Sequence, residues 1–521
     1  MIRSAGVIGA GLALARPARA IRPGELIHVV GVAGAGASAA ALHAAWAGAR
    51  VSGCDPGGPS PYTSALAAAS IPLAWEHDPG HITGPITPER LAVTKALTAV
   101  DPDHPELRAA RATGVPLEPW QQVIADAASG QMLVGVAGTH GKSTSAAWLV
   151  HVLASAGLDP AAFVGALLPS TITGGLAATA RRGRGDQFVV EADEYAGNFD
   201  PYRPAATLLT NIDWDHPDVF ADRTAVVDAT EAWLRRIPLT PCRPVLAVNV
   251  GDAGGAELAE RLGDWPGELI ATALIDASSQ RLPGFRRGME TQYPTAVGPA
   301  RAVVGRTMLS DNTTTTMEIS GWPTLVTPLR VRLPTAGRHN ASNAVGVAAM
   351  ALQLGVSPEA VVKGLASFPG VGRRLERLGT AGGVVVYDDY GHHPTAIRET
   401  LLAMRQVEPG RRLWAVFEPL TFHRTAAMLQ PFAEVLAEAD AVAITEIWAG
   451  RDPDRTVASA ARLADAVIAH RPGMIAVAPG TVEQTATWLA QNVQAGDAVL
   501  VMGGGRSYLV GRLLLADLED R

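Results

Sequence analysis

Met132-Leu-Val-Gly-Val-Ala-Gly138-Thr139-His140-Gly141-Lys142-Ser143-Thr144 reads as a buried strand, a glycine turn, and then a helix over residues 145–156 that Gly157 ends. Glycines let the backbone turn tightly there, and the free amides at a helix start suit an anion. The loop is GxxGKS, not the full GxxxxGK[ST]; Val136 stands where the first glycine belongs. Lys142 is one of three lysines in 521 residues, the others being Lys95 and Lys363. A chain that prefers arginine this strongly keeps a lysine where a compact ammonium is needed and a planar guanidinium fork does not fit. The expectation is a site for ATP or GTP. The backbone over Gly138, Thr139, His140, Gly141 and Thr144 would cradle phosphates, Lys142 would neutralise them, and Ser143 would ligate Mg²⁺.

Two further α/β segments flank this one. Leu26-Ile-His-Val-Val30 is a short apolar strand that enters Gly31-Val-Ala-Gly34-Ala35-Gly36 and an alanine-rich helix to about Gly48. A second strand at 50–54 ends in Asp55. Strand, glycine turn, helix, strand and terminal acid form a βαβ unit of the dinucleotide-binding type, which makes Gly34, Ala35, Gly36 and Asp55 candidate contacts for a substrate diphosphate. After residue 366, apolar runs at 383–387, 413–417, 441–445 and 498–502 alternate with helical stretches, as in an open doubly wound sheet. The fold class is therefore α/β in three domains. A Rossmann-like N-terminal domain (26–127) precedes a P-loop-type central ATPase domain (128–366) and a Rossmann-like C-terminal domain (367–521). Residues 250–330 read as loops and short antiparallel strands, and 338–354 as a helix with a packed face.

Composition narrows the function. Hydrophobic residues make up 48% of the chain and charged residues 18%, with a net charge of −7, which argues against a nucleic-acid partner. Cys54 and Cys242 are the only cysteines. That count speaks against a disulfide framework and a structural zinc cluster, and it fits a reducing cytoplasm. Residues 7–15 with Ala18-Arg19-Ala20 imitate a secretory signal, but Arg16 and Pro17 interrupt the apolar run. Residues 1–25 are expected to be an N-terminal extension outside the fold. No stretch is long and apolar enough to span a membrane.

Glu191-Ala-Asp193-Glu194 follows the apolar run 188–190, and Asp215-His216-Pro-Asp218 follows Thr210-Asn211-Ile212. Carboxylates crowded at strand ends need a cation, and Mg²⁺ is the natural one beside ATP. Six motifs in order complete the picture: Gly-Thr-His-Gly-Lys-Ser-Thr (138–144), Glu-Ala-Asp-Glu (191–194), Asn-Ile-Asp-Trp-Asp-His (211–216), Gly-Arg-His-Asn-Ala-Ser-Asn (337–343), Gly-Val-Gly-Arg-Arg-Leu-Glu (370–376) and Tyr-Asp-Asp-Tyr-Gly-His-His-Pro-Thr (387–395). By these the chain resembles the Mur ligase family from about Ile27 to Tyr508. It is most similar to the branch acting on UDP-N-acetylmuramate.

The resemblance implies an ATP-dependent amide ligase of peptidoglycan precursor synthesis. It would join that substrate's lactyl carboxylate to an amino acid, L-alanine favoured, or to a murein peptide, through an acyl phosphate. A monomer or weak homodimer is expected. Ser143, Glu191 and His216 would hold Mg²⁺. Asn340 and Asn343 would contact adenine, and Arg374 and Asp389 would meet the ribose and phosphates. His392 and His393 would lie near the incoming amine, and Arg424 would grip its carboxylate. Several branches use a carbamylated lysine for a second metal; no lysine lies between 142 and 363, so that device is excluded here. Where alanine-adding members carry His-Arg-Tyr-Ser-Arg-Thr, this chain has Leu420-Thr421-Phe422-His423-Arg424-Thr425, so one basic clamp is missing unless His423 substitutes. A non-catalytic nucleotide-binding protein and an NAD-dependent oxidoreductase are the competing readings.

Overall fold

Apolar runs ending in glycine or polar turns build three sheets, described here from a computed structural model that covers residues 2–275, 289, 292–450, 452 and 454–520. In the first sheet the strands lie in the order Leu73–Ala74, Arg50–Cys54, Leu26–Val30, Arg90–Val93, Leu117–Pro119, and every pairing is parallel. The helix Ala35–Trp46 crosses over it. Its alanines leave so little bulk that the helix packs directly on the next domain. There His43 Nε2 donates to the Ala162 carbonyl at 2.8 Å and Thr179 Oγ1 to the Ala35 carbonyl at 2.8 Å.

The central sheet is parallel through Arg301–Ser310, Glu268–Ile275, Val245–Asn249, Ala206–Leu209, Met132–Ala137, Gln187–Ala192 and Ala161–Leu168. Antiparallel strands Thr315–Ser320 and Leu329–Leu333 extend one edge, and Ala178–Arg181 extends the other. Residues 250–330 are thus more regular than their punctuation implies. Glu268–Ile275 is a buried parallel strand, and antiparallel pairing in this stretch is confined to Pro294–Thr295 with Gly298–Pro299 and to the strands from Arg301 onward; 276–288 lie outside the described residues. Parallel strands are covered on both faces and carry no alternation, so periodicity did not reveal this one. Helix Arg338–Gln353 packs on this sheet, as expected, and Gly346 leaves room for Leu208, whose Cδ1 would lie 2.7 Å from an added Cβ.

The third sheet orders Glu376–Ala381, Val384–Asp389, Ala498–Gly503, Leu413–Glu418, Ala441–Thr445, Ile475–Gly480. Its two edge strands are half-exposed, which blurs their apolar pattern, and the sequence reading missed both. Among the described residues no helix is long and apolar enough to cross a membrane.

Residues 2–25 are not a free extension. Ile8 is fully buried against Tyr195 and Ala196, and Thr98 Oγ1 donates to the Ile8 carbonyl at 2.6 Å. Arg16 pairs with Asp126 at 2.7 Å and with Glu118 at 2.9 Å. Beneath it Arg90, 2% exposed, meets Asp126, Glu118 and Glu25 at 2.5, 2.8 and 3.1 Å. Buried carboxylates need their cations, so the segment is part of the domain's charge balance. Arg90→Ala is expected to destabilise the protein by about 3–5 kcal/mol in urea unfolding, because three buried carboxylates lose a shared partner. Burial would raise Glu25, but Arg19, the Arg22 amide and Arg90 bring it down from 4.5 to about 2. Its stabilising contribution is complete above about pH 4.5 and is lost as pH falls towards 2. Acid titration of unfolding free energy checks this; Glu25→Gln should flatten that part of the curve.

Candidate active site

The strands Met132–Ala137, Gln187–Ala192 and Ala206–Leu209 are neighbours, so their carboxyl ends deliver three loops to one sheet edge. Gly138 and Gly141 have φ of +126° and +77°, and a Cβ on Gly138 would sit 2.3 Å from Thr210 Oγ1. The loop is tied to the third strand's end. The Thr139 amide donates to the Asn211 carbonyl at 3.1 Å, the His140 amide to Asn211 Oδ1 at 2.8 Å, and Thr210 Oγ1 to the His140 carbonyl at 2.6 Å. The amides of Thr139 and His140 are therefore engaged, contrary to the expectation that they cradle phosphate. The helix Lys142–Ser155 begins three residues earlier than expected, which turns the Lys142, Ser143 and Thr144 amides into helix-start donors without intrahelical partners.

Lys142 Nζ donates to Glu194 Oε2 at 2.9 Å and lies 3.7 Å from Asp193. Burial alone would lower Lys142, but Glu194, Asp193 and Glu191 outweigh it and raise it above its ordinary value. Ser143 Oγ donates to Glu191 at 3.1 Å, and the Gly165 amide donates to the other Glu191 oxygen at 2.6 Å. The expected metal trio is divided. Ser143 and Glu191 form one corner, two hard oxygen donors of the kind Mg²⁺ takes. His216 stands instead with Asp193 and Glu194, their ligand atoms within 4.8 Å of one another. The cause is the 215–218 loop: His216 has φ +56°, and its Nδ1 accepts from Arg424 at 3.0 Å.

A cavity of about 340 Å³ opens beside the phosphate loop, lined among others by His140, Thr144, Asn340, Asn343, Arg374 and Asp389. Arg374, from the third domain, donates to Ser143 Oγ at 3.3 Å, and its Nε is buried with no partner. Asn343 packs on Gly141, whereas Asn340 donates to the Ala336 carbonyl at 2.8 Å. Asp389 lines the same cavity and also braces the backbone. Its oxygens accept from the Leu375 amide at 2.8 Å and the Gly391 amide at 2.7 Å, so it sets the turn that carries Arg374. Asp55 is likewise a brace: it accepts from the Ala33 amide at 3.1 Å and the Gly57 amide at 2.9 Å. A carboxylate at a strand end finds backbone amides as readily as a ligand, and spacing alone does not separate the two roles.

Towards the first domain a cleft of about 230 Å³ lies between the first two domains, with Gly34, Ala35, Gly36, Lys95, Asp193 and His216 among its lining residues. A smaller space of about 180 Å³ shares Gly36 and Asp193 with it and reaches Glu191. Gly36 is required here, since a Cβ would lie 2.2 Å from the Trp120 ring. Lys95 was not anticipated. Its Nζ donates to the Ala196 carbonyl at 2.7 Å, and burial pulls its pKa down to about 8. The signal was available: the scarcity of lysine that marks Lys142 marks Lys95 equally.

The third domain closes the site. Thr395 donates to Asp213 at 2.6 Å. His393 caps the helix Pro394–Val407 by accepting from the Thr395 amide, and its Nε2 donates to the Trp214 carbonyl at 2.9 Å. His393 is therefore a clasp between domains, not a substrate ligand. His392 Nδ1 donates to the Tyr390 carbonyl at 3.0 Å; burial and the nearby Arg424 hold it well below its ordinary value, so the ring is neutral. Arg424, 3% exposed, meets Asp215 at 2.6 Å, and its Nε and one terminal nitrogen are buried without partners. Burial would raise Asp215, but Arg424 beside it holds it well below the carboxylate range. His423 is committed to Asp452 at 2.8 Å.

Comparison with known proteins matches residues 26–132 to the Mur ligase family catalytic domain, 136–351 to the Mur ligase middle domain and 373–505 to the Mur ligase glutamate ligase domain. A UDP-N-acetylmuramate–L-alanine ligase of Frankia casuarinae is 36% identical over 519 residues, covering 94% of this chain and 97% of the relative. One of Kineococcus radiotolerans is 35% identical over 497 residues, covering 95% and 96%. In fold, the chain is similar to the UDP-N-acetylmuramate–alanine ligase of Thermotoga maritima (TM-score 0.72, 22% identity, covering 95% of this chain and 99% of that one). It is equally similar to a murein peptide ligase of Psychrobacter arcticus (TM-score 0.71, 22% identity, covering 96% and 99%).

Proposed function

The chain belongs to the Mur ligase family, and from that premise we propose that it joins the lactyl carboxylate of UDP-N-acetylmuramate to the amine of L-alanine, driven by ATP. It is an ATP-dependent ligase of peptidoglycan precursor synthesis. The observation that carries the reading is that Lys142 lies between Gly141 and Thr144, which line one space, and 3.7 Å from Asp193, which lines another. One is the cavity that Arg374 closes, and the other is the cleft beneath the glycine turn.

In this reading ATP fills the larger cavity and the diphosphate of the sugar nucleotide lies along Gly34, Ala35 and Gly36. The lactyl carboxylate attacks the γ-phosphorus and ADP leaves. The amine then attacks the acyl carbon and phosphate leaves, forming the amide. The first step brings an anion to a polyanion. Lys142 answers that charge from one side and Arg374 from the other. Ser143 and Glu191 would hold Mg²⁺, with His216, Asp193 and Glu194 as an adjoining corner, and the ion would supply further charge neutralisation. The unpartnered nitrogens of Arg424 suit the amino acid's carboxylate. His392, neutral and with Nε2 free of the Tyr390 bond, suits a hydrogen bond from the incoming amine.

The test is phosphate release from ATP with UDP-N-acetylmuramate and a panel of amino acids and murein peptides. L-Alanine is expected to give the highest kcat/KM. The murein tripeptide is the second reading, because Leu420-Thr421 replaces a basic pair and His423 is held by Asp452. A preference for the tripeptide would move the enzyme to cell-wall recycling, and silence across the panel would sink the ligase assignment.

Lys95 gives a separate prediction. Losing a charge-assisted bond to a phosphate costs about 1.5–3 kcal/mol, so Lys95→Met should raise KM for the sugar nucleotide roughly 10- to 100-fold with little change in kcat. Because burial sets Lys95 near 8, the wild-type KM should rise above pH 8, and Lys95→Arg should remove that rise. Steady-state kinetics across pH 7–9 reads both; an unchanged KM in Lys95→Met contradicts the role.

A further inference from the structure

On the sheet face of the N-terminal domain that is turned away from the central domain, we propose that His28, Cys54, His81 and Glu106 form a tetrahedral site for one zinc-class divalent ion. The residues come from four separate elements: the strand Leu26–Val30, the end of Arg50–Cys54, the short helix Gly80–Thr83 and the helix Pro105–Thr113. Their ligand atoms all lie within 4.8 Å of one another. Cys54 Sγ is 3.3 Å from His28 Nε2 and 3.3 Å from both Glu106 oxygens, and His81 Nδ1 is 2.6 Å from Glu106 Oε1. Zinc bonds of about 2.0–2.3 Å place tetrahedral ligands roughly 3.3–3.7 Å apart, so most of these spacings need little change to admit an ion.

Hydrogen bonds can occupy these atoms, with the Asp78 amide donating to Glu106 at 3.0 Å, but they bring no lysine or arginine charge to the buried carboxylate. Cys54 is fully buried, and a thiol has one proton. Yet four atoms crowd its sulfur at 3.3 Å: His28 Nε2, His77 Nδ1 and both oxygens of Glu106. Glu106 is also fully buried, and no lysine or arginine pairs with it among the described residues. A second observation is independent of this crowding. His104, 6% exposed and grouped with His77 and Glu106, has its Nδ1 buried with no hydrogen-bond partner. A divalent cation held by His28, Cys54, His81 and Glu106 would balance the buried carboxylate and thiolate.

The donor chemistry selects the metal. One thiolate, two imidazoles and one carboxylate are a borderline-soft set, suited to zinc and unsuited to magnesium or calcium. Second partners are in place as well. His28 Nδ1 is 2.8 Å from Ser52 Oγ, and His77 lies 3.2 Å from the far Glu106 oxygen. Four protein ligands, three of them buried and His81 partly exposed, complete a tetrahedral set, so the site is structural: it fastens the two helices to the sheet whose other face carries the crossover helix Ala35–Trp46. The cysteine count had spoken against a zinc cluster. The donors were there, but His and Glu supply most of them and no local spacing announces it.

The test uses the full chain, stripped with EDTA and reloaded with zinc or cobalt alone. The expected result is about one zinc per chain retained through gel filtration. The cobalt form should show intense d–d bands and a thiolate-to-cobalt charge-transfer band. Cys54→Ser, nearly isosteric, should abolish the charge-transfer band and weaken zinc binding by more than the roughly 10- to 100-fold typical of losing an outer partner. Without ATP, zinc but not magnesium should raise the Tm of the stripped wild type, and Cys54→Ser/His81→Asn should show no such rise. A wild type that retains no more zinc than this double variant, or whose Tm ignores zinc, overturns the proposal.

Discussion

Lys142→Arg is expected to lower kcat for phosphate release by about 10²–10³-fold, the loss typical of removing one preorganised charge donor. The charge is kept, so Glu194 and Asp193 stay compensated and the fold should hold, which unchanged urea unfolding would verify. What is lost is geometry. The Lys142 ammonium sits within 3.3 Å of the Thr139 carbonyl and 2.9 Å of Glu194, in a loop that Asn343 closes over Gly141. A guanidinium is broader and planar, and it cannot occupy that point while reaching phosphate oxygens. Lys142→Met removes the charge as well; it should lose as much activity and also stability, because two carboxylates are left against each other. Turnover of Lys142→Arg within threefold of wild type would contradict the role.

The second large effect concerns Arg424. Arg424→Ala should reduce kcat/KM for the acceptor amine by about 2–5 kcal/mol, roughly 30-fold to several thousand-fold, while KM for ATP changes far less. Its guanidinium spends one nitrogen on Asp215 and His216 and keeps two others dry and unpaired, an arrangement ready for a carboxylate. Arg424→Lys should not rescue, because an ammonium cannot serve Asp215 and a planar carboxylate together. A variant defective equally towards ATP and amine would mean that Arg424 only clamps the domains shut. The comparison of the two KM values decides.

These residues were legible in the sequence to different degrees, for physical reasons. The phosphate loop was readable because its glycines, lysine and hydroxyl are contiguous and each has a conformational or charge requirement of its own. The acidic runs were readable as a place that calls for a cation, since neighbouring carboxylates repel, but their partition was not: His216 groups with Asp193 and Glu194 while its Nδ1 accepts from Arg424, 208 positions away. Asp55, Asp389 and His393 have the right residue type at the right position, and the contacts they make here are to backbone groups. Residues 2–25 looked detachable because Arg16 meets carboxylates about 100 positions on.

What the sequence by itself determined is the architecture of three α/β units, the family and the identity of the nucleotide loop. Strand periodicity, glycine turns and short motifs are local, and they need only a few neighbouring residues to have meaning. Tertiary structure alone decided which spaces flank the phosphate loop, that Lys95 lines the cleft between the first two domains, and that Arg374 and Arg424 close on the central domain. It alone brought one cysteine, two histidines and a glutamate from four elements into one buried cluster. Those facts depend on desolvation and on distances between residues far apart in the chain, and burial, not spacing, sets the energies of charged and metal-binding groups.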